Sequence, residues 1–512
     1  MADALGSFKA YCQGGLNTSR DVLSQGENSP GSAISLINYE PAVTGGYRRI
    51  SGYSNDYGTV PGTGDVLGVA VVDGLHDGIF ACRAPSSGYN YLHYWDIATS
   101  AWVVVPSVGT PTMTGVTKVR FSRYNWGYPE FIMTDGVNPA AVYDGTSYVQ
   151  ITHANAPTAP KFSEVFHNHM FLAGDPSEPT NLYFSAPYDE YDYNPANGAG
   201  VINVGFPIVQ IKAFRDELYI FGSTNIKKLS GTSVADVKLE QVTNDLGCLA
   251  SDSVVEIGGD LLFLSQDGLR PVSGTDKIGD VNLETVSKDI QSIFTDIVFD
   301  IDLEGLNSVL VRQKSQFRYF FKASDSQGII GGFRPTQGGL SFEYGQLLGI
   351  EATCADSGYI GQYEYVIHGD SDGHVHRQEA GNSFDGLPIF SLYQTPYIHM
   401  DDPEVRKIFY SVSTYMRSEG DNQIVMSAVY DYEDFDTLNP TNYDMNTTGA
   451  AAYYNEAFYD STAIFDGNPS PVQRINISGS GKAISLKYVT NSTDAAHSIQ
   501  GIVITYGVGD RR

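Results

Sequence analysis

The chain has 512 residues, with 31 Lys and Arg against 59 Asp and Glu, which gives a formal net charge of -28. This sign disfavours sequence-specific DNA binding, because a protein that grips a phosphate backbone does so with an excess of cations. A hydrophobic content of 42% excludes disorder over most of the length, and 54 Gly and 34 Tyr favour turns and strands over helices.

The four cysteines predict neither a zinc site nor a disulfide framework. They stand far apart, at Cys12, Cys82, Cys248 and Cys354, and none forms a CxxC pair. The first 16 residues lack a basic region followed by an apolar one, and no run of about 18 apolar residues occurs. We therefore expect a soluble, unsecreted protein without a membrane anchor.

The first predicted domain, residues 1–64, is an extended N-terminal arm. It contains polar turns and the string GGYRRISGY at residues 45–53. This segment predicts strands that either join the C-terminal module or close the region that follows it.

Residues 65–386, the second predicted domain, repeat a unit of alternating strand, tight polar turn and apolar strand. The clearest copies are 211–231 and 254–274, which align throughout and share a final Ser-Gly. One turn residue marks each unit: Asp96, Asp135, Asn181, Asn225, Asp267, Gln327 and Asp372. Most steps between these markers are close to the length of a four-stranded propeller blade, about 40 to 50 residues. We therefore predict an all-β protein with a β-propeller of roughly seven blades, although six or eight also fit, and an irregular β-sandwich is the alternative.

One long step of the repeat contains a helical pattern. Between residues 282 and 294, Leu283, Val286, Ile290 and Ile293 recur at helical spacing, with Lys and Asp between them. This pattern predicts one short amphipathic helix.

The third predicted domain, residues 387–512, changes character and predicts a C-terminal β-sandwich platform, with a jelly roll left open. Six segments have the composition of strands: 395–397, 405–415, 424–432, 474–477, 483–489 and 498–506. Residues 434–469 are rich in Tyr, Asn and Asp, and a loop of that length in a compact domain is typical of a functional or interface loop. Tyrosine offers contact area there at low entropy cost.

Short histidine motifs occur, but they favour structural roles. His167 and His169 flank Asn168 on a predicted strand, without the ββα frame and the separate histidine of a metal-dependent nuclease. His374 and His376 share one strand face and could hold a metal, yet no third ligand stands at a persuasive spacing. We therefore interpret the second pair as part of an exposed turn.

No motif in the chain indicates a catalytic centre. Residues 370–373 (DSDG) and 300–302 (DID) resemble pieces of a calcium loop, but both lack the closing Glu, which favours ordinary Asx turns. GxSxG, HExxH, P-loop and strand-linked GxGxxG motifs do not occur. We predict no enzyme activity, no catalytic residue, no metal and no cofactor, although the paired carboxylates of a glycosidase would be invisible among 59 acids.

Short motifs spread over most of the length form a further pattern. Near the start they are GGLN (14–17), a Pro-Gly turn (30–31), NYEP (38–41) and GGYRRISGY (45–53). Residues 162–171, NLYFS (181–185), IFGS (220–223) and DLGC (245–248) follow, and then TP (395–396), VRK (405–407), YDY (430–432), GSGK (479–482) and ITY (504–506). Together these motifs resemble the tail nozzle proteins (tail tubular protein B-like) of short-tailed bacteriophages.

The resemblance implies a structural virion protein of the phage tail that is present in the host cytoplasm during assembly. It implies a propeller with a β platform, assembled as a homohexameric ring below an adaptor ring and enclosing the channel for DNA ejection. Tail fibres or spikes would dock on this ring, and double-stranded DNA would pass through it transiently and without sequence-specific contact.

A closed ring needs contacts between two different surfaces of neighbouring copies. The segments predicted to make these contacts are 45–53 and 430–465. The candidate interface residues are Tyr47, Arg48, Arg49, Tyr53, Tyr430, Tyr432, Tyr453, Tyr454, Phe458 and Tyr459.

Two other classes of function fit the same composition. A monomeric propeller that binds or cleaves a glycan, as a receptor-binding protein would, needs a pocket lined by aromatic residues and carboxylates. A capsid decoration protein would share the acidity but assemble on the shell lattice.

Overall fold

The computed structural model describes residues 5–42, 45–231, 236–273, 285–300, 303–321, 327–336, 339–400, 402–433, 442–447, 451–452, 464–465 and 471–508. Strands dominate these residues, so the prediction of an all-β protein is confirmed. Among them, no helix is both long and apolar enough to cross a membrane.

The N-terminal residues form short strands and one helix. They are β1 (Gly6–Tyr11), α1 (Val22–Asn28), β2 (Ser35–Ile37), β3 (Tyr39–Pro41), β4 (Tyr47–Arg49) and β5 (Tyr53–Ser54). Helix α1 begins where the Asp21 carboxylate accepts a hydrogen bond from the Ser24 backbone N–H at 2.8 Å, which satisfies a donor that a helix start leaves free. The sheets that contain these strands are completed by strands from much later in the chain.

Seven meanders follow among the described residues, and we number them units 1 to 7; their strands pair antiparallel except β10, which pairs parallel with β14. Unit 1 contains β6 (Thr63–Val71), β7 (Ile79–Ala84), β8 (Leu92–Asp96) and β9 (Ala101–Val104). Unit 2 contains β10 (Ser107–Val108), β11 (Arg120–Asn125), β12 (Pro129–Thr134), β13 (Ala141–Tyr143) and β14 (Tyr148–Gln150). Unit 3 contains β15 (Phe162–Phe166), β16 (His169–Ala173), β17 (Asn181–Phe184) and β18 (Gly200–Asn203).

Units 4 to 7 continue in chain order. Unit 4 contains β19 (Gln210–Phe214), β20 (Glu217–Phe221), β21 (Ile226–Ser230) and β22 (Lys238–Thr243), and unit 5 contains β23 (Val255–Ile257), β24 (Asp260–Ser265) and β25 (Gly268–Pro271). After helix α2 (Gln291–Asp300), unit 6 contains β26 (Asn307–Val311), β27 (Gln316–Phe320), β28 (Gln327–Thr336) and β29 (Gly339–Leu348). Unit 7 contains β30 (Cys354–Ile360), β31 (Tyr363–Gly369) and β32 (Val375–Gln378).

The units pack face to face around a common axis. Apolar clusters fill the spaces between units 1 and 2, 2 and 3, 3 and 4, 4 and 5, 5 and 6, and 6 and 7. A further cluster, which contains Val69 and Ile367, joins unit 7 back to unit 1. The series of interfaces is therefore closed, which is the geometry of a β-propeller and excludes the irregular sandwich. The prediction of a propeller is confirmed.

The two most similar sequence segments occupy equivalent places in this ring. Residues 211–230 run through β19, β20 and β21, and residues 254–272 run through β23, β24 and β25, so both form the first three strands of a unit. The ring is closed by the N-terminal strand β5, which pairs with β32 (Tyr53 with Gln378) and completes the sheet of unit 7.

The C-terminal residues supply most of a β-sandwich, as predicted. Its strands are β33 (Ile389–Gln394), β34 (Lys407–Ser418), β35 (Asn422–Tyr430), β36 (Tyr443–Thr447), β39 (Val472–Gly481), β40 (Ile484–Ser492) and β41 (His497–Val508), while β37 (Ala451–Ala452) and β38 (Ile464–Phe465) pair with each other. One sheet has the order β3-β4-β41-β34-β39, with β1 also on β41. The other continues from unit 6 in the order β26-β27-β28-β29-β2-β33-β40-β35-β36.

The largest apolar cluster lies between the two sheets of this platform and extends into units 5 and 6. Tyr430, Leu486 and Ile502 belong to it in the platform, and Leu264 and Phe317 belong to it in the ring. Complete burial of a side chain such as Leu stabilises the fold by about 1.5–3 kcal/mol. The platform and the ring therefore share one continuous core.

Two local predictions need correction. The helix predicted over 282–294 starts later, because a 3-10 turn (Lys288–Ile290) leads into α2, and residues 282–284 lie outside the described residues. The strand predicted at 395–397 is the segment after β33. Pro396 has no backbone N–H for a sheet, and the Thr395 hydroxyl accepts from the Leu486 N–H at 2.9 Å. The other 3-10 turns are Pro195–Asn197, Ser251–Ser253, Leu303–Gly305, Arg312–Lys314 and Asp431–Glu433.

Candidate functional site

A cavity of about 650 Å³ lies on the axis of the ring, and we call it the axial cavity. Every unit contributes to its wall through its innermost strand, from Val69 of β6 to Asp356 of β30. Side chains alternate along each innermost strand. One set of side chains packs against the neighbouring units, and the other set is left to line the cavity.

Asp252, which precedes β23, pairs with two cationic side chains in this cavity. Lys118 Nζ donates to its Oδ2 at 2.7 Å, and Arg120 Nη2 donates to the same oxygen at 2.8 Å. Burial by itself would raise the pKa of Asp252, but Arg120 and Lys118 hold that pKa below its usual range. The carboxylate is therefore ionised at neutral pH and is unsuited to act as a general acid.

Two more ion pairs join units within the axial cavity. Arg123 of unit 2 pairs with Asp356 of unit 7, and Lys212 Nζ of unit 4 lies 3.1 Å from Glu164 Oε2 of unit 3. Because these charged groups satisfy one another, we assign them a structural role in holding the ring together.

Two of the predicted interface residues face the interior of their own chain. The Tyr47 hydroxyl donates to the Gly31 carbonyl at 3.0 Å and accepts from the Gly15 N–H at 2.9 Å. The Arg49 guanidinium donates to the Ser492 carbonyl at 3.2 Å. Both side chains are fully buried within this chain, so they anchor β4 in the platform.

The other described candidates differ in their exposure. Tyr430 is buried in the platform core, so it too is a structural residue, whereas Arg48 and Tyr53 are half-buried. Tyr432, at 48%, is the most exposed of the candidates among the described residues. The remaining candidates, Tyr453, Tyr454, Phe458 and Tyr459, lie outside the described residues.

The platform carries an outward surface of aromatic and apolar side chains that is not among the sites predicted above. Tyr11 of β1 and Tyr415 of β34 both pair with Gly501 of β41, so their rings stand on the same side of the sheet. Ile408 and Tyr410 are also exposed on β34, by 45% and 44%. We call these four residues the platform face.

Basic residues border the platform face. Lys9 pairs with Val503, Val503 pairs with Ser413, and Ser413 pairs with Arg474, so this row of four residues points to one side of the sheet. Lys9 and Arg474 are both exposed there. This cationic border is unusual in a chain whose net charge is -28.

A signal for the platform face was present in the sequence. Ile408, Phe409 and Tyr410 are consecutive, so both faces of β34 are apolar, whereas a strand with one solvated face alternates apolar and polar residues. A strand that is apolar on both faces indicates that both are covered in the assembled state.

Asp370, His374 and His376 converge at the turn between β31 and β32. His376 Nε2 lies 2.9 Å from Asp370 Oδ2, and His374 Nδ1 lies 3.3 Å from the same oxygen. The three ligand atoms all lie within 4.8 Å of one another. The sequence offers no third ligand at a persuasive spacing, but in the fold the tight turn brings the Asp370 carboxylate back beside the two histidines.

Comparisons with known proteins give the chain no family. No family model matches it, and no curated protein matches it. An exo-β-1,3-galactanase from Phanerochaete chrysosporium is similar in structure at 11% identity, with 89% of this chain and 100% of that chain covered and a TM-score of 0.26. Hsv2 of Kluyveromyces lactis is similar at 8% identity, over 56% of this chain and 98% of that chain, with a TM-score of 0.30. At these scores neither likeness bears on function.

Proposed function

We propose that this chain is a structural subunit of the tail nozzle of a short-tailed bacteriophage and assembles into a ring around the path of the ejected DNA. The observation that supports this proposal most is the fusion of a propeller to a β platform through one nine-stranded sheet. The resemblance of the sequence motifs implies the same architecture. In this proposal the chain is a conduit and a docking platform, and it catalyses no reaction.

In this proposal, double-stranded DNA passes between subunits and not along the axis of one propeller. The axial cavity, at about 650 Å³, has the size of a small-molecule pocket and is crossed by ion pairs. A passage for a duplex therefore requires several copies around a hole, and the six copies implied by the resemblance would provide it. The net charge of -28 per chain favours weak, non-specific contact with a polyanion.

The platform face is the proposed contact between neighbouring copies. In a ring closed by rotation the two contacting surfaces differ, so one copy presents this face and the next presents a different surface. The aromatic residues supply contact area, and the basic border favours an acidic partner surface, which a chain with 59 acids provides readily. The adaptor ring and the tail fibres or spikes are proposed partners of the assembled ring, and the virion tail is its proposed location.

The substitution Tyr415→Asp tests this contact, and Tyr363→Asp is a matched control because Tyr363 is 71% exposed in unit 7, away from the platform face. Negative-stain electron microscopy and sedimentation should show rings with a central hole for the natural chain and for the control. For Tyr415→Asp we expect association weakened by about tenfold or more, because a negative charge replaces an apolar ring in the contact and faces the acidic partner surface.

Location in the virion provides the second test. An antibody against this chain should label the tail axis of intact particles. Labelling of the capsid shell instead would identify a decoration protein and overturn the proposal. Single subunits under all conditions, together with no labelling of the tail, would do the same.

A second candidate function is glycan binding, and it rests on an aromatic cluster formed by the β11–β12 turn of unit 2 and the connection between β17 and β18 of unit 3. Tyr128 and Tyr188 are 79% and 62% exposed, and the rings of Trp126 and Tyr188 are 6.2 Å apart. Burial, and then the charge of Glu130, raise the pKa of Glu190 beside them. Incubation of the natural chain and of Glu190→Gln with host surface polysaccharide tests this function. Binding or cleavage of the glycan that is lost in Glu190→Gln would support glycan binding. The absence of both binding and cleavage in the natural chain would exclude it.

A further inference from the structure

We propose that Asp370, His374 and His376 bind a divalent transition-metal ion of the Zn²⁺ type, and that this ion fastens the last sheet of the ring to the N-terminal segment that closes it. The proposal is independent of the nozzle function, because it concerns the closure of one propeller and not the assembly of several. Neither the sequence motifs nor the comparisons assign a metal ion to these residues.

Two of the three donor-atom separations are close to the spacing that a metal ion requires, and all three atoms lie within 4.8 Å of one another. Zn²⁺ binds His nitrogen and carboxylate oxygen at about 2.0–2.2 Å, so two ligand atoms in a tetrahedral site are about 3.3 Å apart. The separations of 2.9 Å (Asp370 Oδ2 to His376 Nε2) and 3.3 Å (Asp370 Oδ2 to His374 Nδ1) are close to that value. Small side-chain rotations would suffice to admit the ion.

The Asp370 carboxylate is held in place by its own turn. Its Oδ1 accepts hydrogen bonds from the backbone N–H groups of Asp372 at 3.0 Å and His374 at 2.7 Å, which is the Asx turn that the sequence predicts. These bonds fix one oxygen and direct Oδ2 toward the two imidazoles. A ligand that is oriented in advance loses little entropy on binding.

The polar contacts of His376 are incomplete in the structure. Its side chain is 8% exposed, and its Nδ1 is buried without a hydrogen-bond partner. Nδ1 is on the far side of the imidazole from Nε2, so Nε2, which faces Asp370 Oδ2 at 2.9 Å, is the nitrogen available to the ion. The neighbouring His368 ring stacks on His376 with 4.9 Å between centroids, which limits the movement of the ligand.

The donor set selects the class of ion. Two imidazoles and one carboxylate suit Zn²⁺, Co²⁺ and Ni²⁺, whereas Ca²⁺ takes six to eight oxygen ligands at longer distances. The His374 side chain is 32% exposed, so the site is open to solvent on one side and water can complete the coordination. Exchange of the ion with solution is therefore possible without unfolding.

The loop that carries the ligands is bound to the N-terminal segment. The Val60 N–H donates to the Gly373 carbonyl at 2.9 Å, and Thr59 forms a β-bridge with His374. Arg83 of unit 1 connects the same parts, since it donates to the Val60 carbonyl at 2.7 Å and to the Asp372 carbonyl at 3.0 Å. Its positive charge lowers the affinity for a cation, so we expect a site of moderate strength.

The position of Tyr53 completes this connection. Its ring meets the rings of His368 and His376 edge-on, with centroids 5.1 Å and 4.9 Å apart, and Tyr53 belongs to β5, the strand that closes the ring. An ion that orders residues 370–376 therefore stabilises the closure itself. Because a ligand that binds only the folded state stabilises it by mass action, the thermal midpoint should rise with metal concentration.

The test uses the untagged full chain, stripped with a chelator and titrated with ZnCl₂ and CoCl₂. We expect about one ion per chain by calorimetry, a visible absorption band of ligand-bound Co²⁺, and a thermal midpoint raised by Zn²⁺. Asp370→Asn and His374→Ala should each weaken binding by about tenfold or more, because each removes one of three protein ligands. His374 is partly exposed, so its removal should leave the circular dichroism spectrum unchanged.

His153→Ala is the matched control, because His153 Nε2 also lies near a carboxylate, 3.9 Å from Asp192, but has no third ligand within the described residues. This variant should bind Zn²⁺ as the natural chain does. Absence of stoichiometric binding in the natural chain would overturn the proposal. So would binding that survives both Asp370→Asn and His374→Ala.

Discussion

The ring and the platform differ in how far apart in the sequence their paired strands lie. Units 1 to 6 of the ring are made of consecutive strands, and neighbouring units meet through mostly separate apolar clusters. The platform pairs β1 with β41, so that Gly6 lies opposite Tyr506, and one continuous cluster fills it. The ring is therefore specified mainly by local pairing, whereas the platform depends on contacts between the two ends of the chain, which fold at a higher cost in loop entropy.

A buried network of charges joins the two regions. Glu40 of β3 belongs to the platform, and Arg318 of β27 belongs to unit 6; Arg318 Nη2 lies 3.5 Å from Glu40 Oε2. Arg318 also pairs with Glu379, and Lys314 Nζ lies 2.6 Å from Glu40 Oε1. The side chains of Glu40 and Arg318 are almost completely buried. Their pairing makes the regions depend on each other.

Removal of Arg318 should have the largest effect on stability. The variant Arg318→Leu leaves Glu40 and Glu379 short of a buried partner, so we expect the free energy of unfolding to fall by about 3–5 kcal/mol in urea denaturation. The control is Arg377→Leu, because the Arg377 side chain is 39% exposed and lies 3.8 Å from Asp56. It should cost about 1 kcal/mol or less. Equal losses in the two variants would show that the network does not join the regions.

Leu486→Ala in the platform core should cost about 2–5 kcal/mol, because it leaves a cavity in a packed interior. The three tryptophans, Trp95, Trp102 and Trp126, all belong to units 1 and 2. Since the core is continuous from the platform into the ring, the substitution should lower the urea midpoint measured by tryptophan fluorescence.

The control for this prediction is Leu387→Ala, because Leu387 is 67% exposed. It should change the free energy of unfolding by about 0.5 kcal/mol or less. If Leu486→Ala moves only a transition seen by circular dichroism and leaves the fluorescence midpoint unchanged, the ring and the platform unfold independently.

The smallest expected effect is a change in pH dependence. Burial lowers the pKa of His497, in β41 of the platform, to about 3, and its Nε2 lies 2.7 Å from the Tyr39 hydroxyl. The imidazole of His497 stays neutral in the folded protein but takes up a proton on unfolding below about pH 6.5. The free energy of unfolding therefore falls as the pH drops from 6.5 toward 3. His497→Gln should flatten this slope by about 1.4 kcal/mol per pH unit between about pH 6 and 4.

Urea denaturation at several pH values measures this slope. A slope that is the same in the natural chain and in His497→Gln would contradict the assignment of a neutral buried histidine.

The candidate sites were predictable only in part. His374 and His376 were recognised as one strand face, and residues 370–373 as an Asx turn, but their meeting depends on how tightly the chain reverses between β31 and β32. Because tyrosine is common at interfaces, the sequence favours Tyr47 and Tyr430 as surface contacts. Both are buried, since the surrounding chain supplies a hydroxyl partner for Tyr47 and an aromatic neighbour for Tyr430.

The sequence by itself determined the all-β class, the repeat of residues 211–231 in 254–274, and the sandwich character of the C-terminal strands, because these features follow from alternation and turn residues that act over short distances. The tertiary structure alone decided that β5 closes the ring, that β1 and β41 pair, and that Arg318 meets Glu40. These contacts join segments that are far apart in the chain. A local pattern of side chains does not indicate which distant segment will pair with a strand edge or with a buried charge.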